Sequence, residues 1–238
     1  MILNKSADFD SRSPHRIKSF VRREGRITRG QRRAFQELWA RFGVDISANN
    51  AIDPVFLFGR HAPLILEIGF GDGETLAAHC SANPECNFIG VDVHRPGVGH
   101  LLLRAEELAL SNLRIACADA VEMLEHCLPD TCLDRVQIFF PDPWPKLRHH
   151  KRRLIQPAFA TLLVQKLKPG GQLHIATDCE SYARFIMESS AQIPSLGKQS
   201  DDSGFLDHPF ARPLTKYERR AKRSGQGVWE LLFIKSLG

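Results

Sequence analysis

The sequence predicts an α/β fold, a parallel sheet with helices on both faces. Three observations carry that expectation. From residue 64 onward, short apolar runs alternate with helical patterns. The first run opens into a glycine-rich turn, "GFGDG". An acidic residue stands at or beside the end of each of the five runs: Glu67, Asp92, Asp119, Asp142 and Asp178.

The elements follow in order. "LILEIG" has the length and composition of a buried strand. "ETLAAHCSA" reads as a helix with Leu76 and Cys80 on one face, and "NFIGVDV" as the second strand. "GVGHLLLRAEELAL" sets Val98, Leu101, Leu102, Ala105 and Leu108 on a helical stripe. "LRIACAD" and "RVQIFF" read as the third and fourth strands. "RRLIQPAFATLLVQKL" predicts a helix with Pro157 in its early part, closed by "KPGG". "GQLHIATD" is the fifth strand, "CESYARFIMESSA" a helix, and "VWELLFIK" the closing strand. Upstream, Phe35, Leu38, Trp39 and Phe42 recur at helical spacing and predict a short amphipathic helix. Residues 1 to about 30 are basic and poor in apolar residues. They read as a flexible arm or as an arm that orders on nucleic acid. The expected division is a basic arm and short helix over 1–50 and one large domain over 51–238.

The 238 residues suffice for a single sizeable core. A hydrophobic content of 43% and a charged content of 25% are those of a globular protein. No apolar run approaches the ~20 residues of a membrane span. The N-terminus has no signal-peptide core, so a cytoplasmic location is expected. Six scattered cysteines form no CxxC pair and read as reduced thiols, and no metal is expected. A net charge of +5 with a pI near 9.0 suits a polyanionic partner.

In open α/β sheets ligands bind outside the carboxyl ends of the strands. A pyrophosphate site there requires GxGxxG and tolerates no acidic rim. Here Gly69, Gly71 and Gly73 give GxGxG, and Glu74 stands where a third glycine would complete the other pattern. The loop holds no Lys or Arg. The rim suits a cationic, hydroxyl-rich ligand such as S-adenosylmethionine. Asp92 is placed to accept from the ribose hydroxyls, Asp119 from the adenine amino group, and Glu67 to help hold the methionine end. Each aspartate taken alone also reads as a helix N-cap. Beside the rim, "KLRHHKRR" puts five permanent cations and two histidines next to Asp142. "RPLTKYERRAKR" adds six cations around Tyr217. Such segments grip phosphates, and aromatic rings among them stack on bases. The competing readings are a solvated charged face, a nicotinamide-dependent oxidoreductase and a non-catalytic RNA-binding protein.

"LEIGFGDGETL", "VDVHRPGVG", "FFPDPWPKLRHHKRR", "ATD" and "LTKYERR" with "GVWEL" resemble the bacterial tRNA (guanine-N(7)-)-methyltransferase family, from about residue 60 to the C-terminus. The resemblance implies a class I, Rossmann-like methyltransferase sheet, mostly parallel with an antiparallel C-terminal strand. It implies methylation of the variable-loop guanine at tRNA position 46, with S-adenosylmethionine converted to S-adenosylhomocysteine. It implies tRNA as the partner, with no membrane and no obligatory protein partner. Carried over by motif, Glu67, Gly69, Gly71, Gly73, Asp92, Asp119 and Asp142 are cofactor-side positions, and Asp142 is also the catalytic one. Lys146, Asp178, Thr215, Lys216, Tyr217 and Glu218 match substrate positions. Arg148, His149, His150, Lys151, Arg152 and Arg153 match the RNA-contacting run. Asp92 departs from the family, where a glutamate is common; the shorter reach alters the ribose geometry and keeps the carboxylate. Trp144 has two readings, a base stacked on it or packing under its loop.

Overall fold

In a computed structural model, the described residues are 25–47, 51–199, 205–206, 213–223, 225 and 227–237. The basic arm lies outside them up to residue 24. Thr28 opens α1 (Arg29–Glu37) with a capping box: its hydroxyl accepts from Gln31 N and the Gln31 side chain accepts from Thr28 N. Then come α2 (Trp39–Phe42), β1 (Gly43–Val44) and α3 (Pro54–Phe58). The alternating unit runs β2 (Leu64–Ile68), α4 (Glu74–Ala82), β3 (Asn87–Val91), α5 (Arg95–Glu107), β4 (Leu113–Ala116), α6 (Ala120–His126) and β5 (Leu133–Phe139). After a 3-10 turn, Leu147–Arg152, it continues with α7 (Pro157–Lys166), β6 (Leu167–Thr177), α8 (Glu180–Ala191), β7 (Leu196–Gln199), α9 (Lys216–Arg223) and β8 (Trp229–Lys235).

The strands form one sheet in the order β1-β4-β3-β2-β5-β6-β8-β7. Pairing is parallel from β1 to β6, and β8 runs antiparallel to both β6 and β7. Because side chains alternate across a strand, each face has its own core. On one face Leu66, Val136, Ile138, Ile175 and Leu231 pack with Leu124, Leu163 and Tyr182 of α6, α7 and α8. On the other, Ile65, Phe88 and Ile115 pack with Ala34, Leu76 and Leu101 of α1, α4 and α5. Glu67, Gln137 and His174 are register partners across β2, β5 and β6 and so share that second face. His174 meets Glu230 of β8 at 2.6 Å, both fully buried.

Two expectations need correction. The helix after the basic run starts at Pro157 and not upstream of it. Proline lacks an N–H and fits the first helical position, while its ring excludes a preceding helical turn. "KPGG" does not close that helix but lies inside β6, with Gly170 at φ 76. Five short elements, β1, α3, α6, β7 and α9, carry too few periodic residues to stand out in the sequence.

The N-terminus of α5 packs directly against the turn after β2. A Cβ added at Gly97 would lie 1.8 Å from the Gly71 carbonyl oxygen. Gly97→Ala must push helix and turn apart. Thermal unfolding should show a loss of about 1–3 kcal/mol, the usual range for overpacking.

Candidate active site

Three glycines shape the turn after β2. Gly69, Gly71 and Gly73 all have left-handed φ, at 78, 65 and 79. Gly73 packs against Leu101. A Cβ on Gly69 or Gly71 would meet no atom within 4 Å, so their backbone borders open space. The turn is pinned at the end of β3. Asp92 Oδ2 accepts from Gly71 N at 2.8 Å, and Oδ1 accepts from His94 N at 2.8 Å. Burial pushes the Asp92 carboxyl upward, and the backbone donors at His94 and Gly71 partly oppose this. Each oxygen keeps a lone pair for a further donor.

Asp119 is buried at the start of α6, where its Oδ1 accepts from Val121 N at 3.0 Å. It therefore acts as the N-cap that an aspartate at a strand end can always be. Glu67 is buried within β2. Beyond β5 the chain holds Asp142 exposed, and beyond β6 Asp178 is half-buried. β2 and β5 are adjacent, Ile68 beside Ile138. The glycine turn and the Asp142 loop therefore leave neighbouring strand ends, about 5 Å apart.

The loop "FPDPWP" is held in an unusual path. Phe140 and Trp144 both have positive φ, 52 and 43. Phe140 N donates to Ala176 O at 2.8 Å, and its ring stacks on Tyr217 at 6.0 Å. The Trp144 ring carries Arg152 over it at 4.8 Å and meets His149 edge-on at 5.8 Å. Trp144 thus packs against the basic turn that follows it.

The expected RNA-contacting run divides. Lys146, Arg148 and Lys151 are exposed, while His149, His150 and Arg152 are half-buried. Burial, then the charges of Arg148 and Arg152, hold the His149 ring below its ordinary value. Arg153 is 2% exposed, unlike the rest of the run. "TKYE" divides likewise. Thr215 is buried, and its hydroxyl accepts from Glu218 N at 3.0 Å to cap α9. Glu218 is buried beneath that helix, while Lys216 and Tyr217 face outward.

Lys216 supplies a link that sequence reading missed. Its ammonium donates to Asp72 Oδ2 at 2.8 Å, joining α9 to the glycine turn across 144 residues. Burial raises the Asp72 carboxyl, but Lys216, with the Glu74 N–H and His100, more than offsets it and holds the group below the ordinary carboxylate value. Burial lowers Lys216, but Asp72, with Tyr217 and Asp92, more than offsets it and holds the group above the ordinary lysine value. Among the described residues, no group of three or more His, Cys, Asp or Glu could hold a metal, and no helix is long and apolar enough to cross a membrane.

A family model described as "Putative methyltransferase" matches residues 61–231. The tRNA (guanine-N(7)-)-methyltransferase of Halorhodospira halophila is 52% identical over 92% of this chain and 95% of its own length. That of Alcanivorax borkumensis is 51% identical over 92% of each chain. The chain belongs to the tRNA (guanine-N(7)-)-methyltransferase family. Among solved structures, the 16S rRNA methyltransferase KamB superposes with a TM-score of 0.55 at 17% identity, over 79% of this chain and 95% of that one. An rRNA methylase from Streptococcus thermophilus gives 0.51 at 11% identity, over 74% and 87%. These two likenesses establish the class I methyltransferase sheet and nothing finer.

Two predictions follow from this geometry. Gly71→Ala should cost about 1–2 kcal/mol of stability through its left-handed φ. It should also weaken S-adenosylhomocysteine binding tenfold or more by filling the open face, as titration calorimetry would measure. The Lys216–Asp72 pair is about half exposed, so it contributes only about 0.2–1 kcal/mol. The lowered Asp72 makes that contribution present above the ordinary carboxylate value and lost as pH falls through the lowered one. The raised Lys216 makes it present below the ordinary lysine value and lost as pH rises through the raised one. The stability difference between wild type and Lys216→Met should therefore be flat from about pH 5 to 9 and close only outside that window.

Proposed function

We propose that the protein transfers a methyl group from S-adenosylmethionine to nitrogen 7 of the variable-loop guanine, position 46, of tRNA. The observation that carries this reading is the adjacency of an open glycine turn and an exposed aspartate loop on neighbouring strand ends, with the exposed cations of the next turn beside them. Membership of the methyltransferase family named above supports the reaction type.

The donor set fits the cofactor. Gly69 and Gly71 leave backbone room for it, and the absence of lysine and arginine from the turn suits a cation rather than a phosphate. Asp92 retains acceptor capacity for both ribose hydroxyls. Asp119 stands at the next strand end, at the start of α6, on the side for an adenine amino group. Glu67 lies behind the turn for the methionine end. When bound, the cofactor supplies an electrophilic methyl on a sulfonium.

Guanine nitrogen 7 carries a lone pair and no proton, so the reaction needs no strong base. The protein's task is alignment, and the barrier falls chiefly through positioning. Asp142 accepts from the guanine ring NH and amino group, which turns nitrogen 7 toward the methyl. Its negative charge also balances the positive charge that develops on the ring. The flanking prolines fix the loop, since each sets its own φ and restrains its predecessor. Lys146, Arg148, Lys151 and Arg152 grip the phosphate backbone, and Lys216, Tyr217 and Asp178 border the substrate side.

Asp142→Ala should lose methyl transfer to unmodified tRNA by at least a hundredfold while S-adenosylhomocysteine and tRNA affinities stay within threefold, measured with labelled cofactor and by filter binding. Lost tRNA affinity instead would make Asp142 a binding residue. Removing Arg148 and Lys151 together should flatten the slope of log affinity against log salt by up to about 2, roughly one per phosphate contact. An unchanged slope would assign those cations to a solvated face.

A further inference from the structure

Arg153 is the member of the basic run that the fold buries. Its guanidinium lies over two neighbouring rings of α8, the carbon 4.9 Å from the Tyr182 centroid and 5.1 Å from that of Phe185, with the two centroids 6.3 Å apart. Its Nε donates to the Pro143 carbonyl at 3.0 Å. Its backbone N–H donates to His150 O at 3.0 Å and closes the 3-10 turn. Tyr182 is fully buried, and its hydroxyl accepts from Ile155 N at 3.2 Å, so the rings that hold Arg153 are themselves fixed. The buried Nη2 has no hydrogen-bond partner. A buried, partly unsatisfied guanidinium costs stability, and a phosphate cannot reach it.

What Arg153 touches explains its place. Pro143 directly follows Asp142, and a residue before proline is confined to extended conformations. Holding the Pro143 carbonyl therefore limits how far the Asp142 backbone, and the carboxylate it carries, can shift. The two residues that bracket this dipeptide at close range, Phe140 and Trp144, both hold positive φ without being glycine. Such conformations persist only where surrounding contacts over-determine them. A planar guanidinium stacked over two adjoining rings and hydrogen-bonded to the loop is a rigid contact of that kind.

We propose that Arg153 is a positioning residue for methyl transfer: it braces the Pro143 carbonyl, and through it the Asp142 carboxylate, and it takes no tRNA phosphate. The proposal rests on the function assigned above to Asp142. The same run of sequence then has two roles, outward cations for the RNA and one inward cation for the loop.

The test compares Arg153→Lys with Arg148→Ala in the full chain. A lysine keeps the charge but loses the planar stack and the directed Nε bond. At saturating tRNA and cofactor, Arg153→Lys should turn over about a hundredfold more slowly, the usual penalty for about 1 Å of misplacement. Its tRNA affinity should stay within threefold with an unaltered salt slope, whereas Arg148→Ala should lower the slope by about one. A reduced slope with turnover intact would overturn the proposal and make Arg153 a phosphate ligand. Unchanged turnover and slope would also overturn it, leaving a packing residue only. Phe185→Leu removes one of the two rings under the guanidinium and leaves the loop and the outward cations unchanged. It should slow turnover severalfold at constant tRNA affinity, and unaffected turnover would overturn the proposal even if Arg153→Lys does not fold. Should the wild-type chain methylate no tRNA, the functional reading fails on its own account. Amide exchange over residues 142–147 then decides separately: it speeds up in Arg153→Lys if the brace is real and is unaltered if it is not.

Discussion

One carboxylate carries the geometry of this site. Asp92, at the end of β3, accepts from Gly71 N and His94 N at once. The first bond fixes the glycine turn after β2, and the second fixes the start of α5, which itself leans on the Gly71 carbonyl. Turn, strand end and helix are therefore one unit. Burial works against the charged form of Asp92, and the two backbone donors offset it only in part. Without them the turn would have no reason to keep its backbone facing open space. The short aspartate side chain reaches both amides in this chain.

The second constraint is convergence of distant segments on neighbouring strand ends. A parallel sheet puts the carboxyl ends of β2, β3, β4 and β5 on one edge, so residues far apart in sequence meet there. α9 completes the edge from the far end of the chain. Lys216 bonds the glycine turn, and Tyr217 stacks on Phe140 of the Asp142 loop. The "TKYE" motif thus joins the glycine turn to the Asp142 loop. Its two buried members, Thr215 and Glu218, anchor the helix that presents the two outward ones. Negative charge at the strand ends and positive charge on the following turn are complementary to a cationic cofactor and an anionic RNA respectively.

Much of this was legible in the sequence. The long elements, such as α4 and α5, have stripes that point to one core, and the observed sheet follows the alternation of strands and helices. The acids stand where the strand ends are. Burial and direction were not legible. Arg153 reads like Arg152, yet one is enclosed by α8 and the other lies over Trp144, because that choice is made by α8, thirty residues downstream. Asp119 reads as a ligand or as a cap, and only the fold shows that one of its oxygens accepts from Val121 N at the start of α6. Short elements such as α6 and β1 bury little on their own, and tertiary packing rather than local pattern forms them. The Asp72–Lys216 pair joins residues whose proximity no local pattern encodes.

The central claim is that this geometry directs one methyl to one ring nitrogen of tRNA. The most direct measurement maps the product formed from unmodified tRNA and labelled S-adenosylmethionine by chain cleavage specific for 7-methylguanine. The account predicts a single cleavage, at the variable-loop guanine. Label incorporated without that cleavage, or cleavage at another guanine, would contradict it.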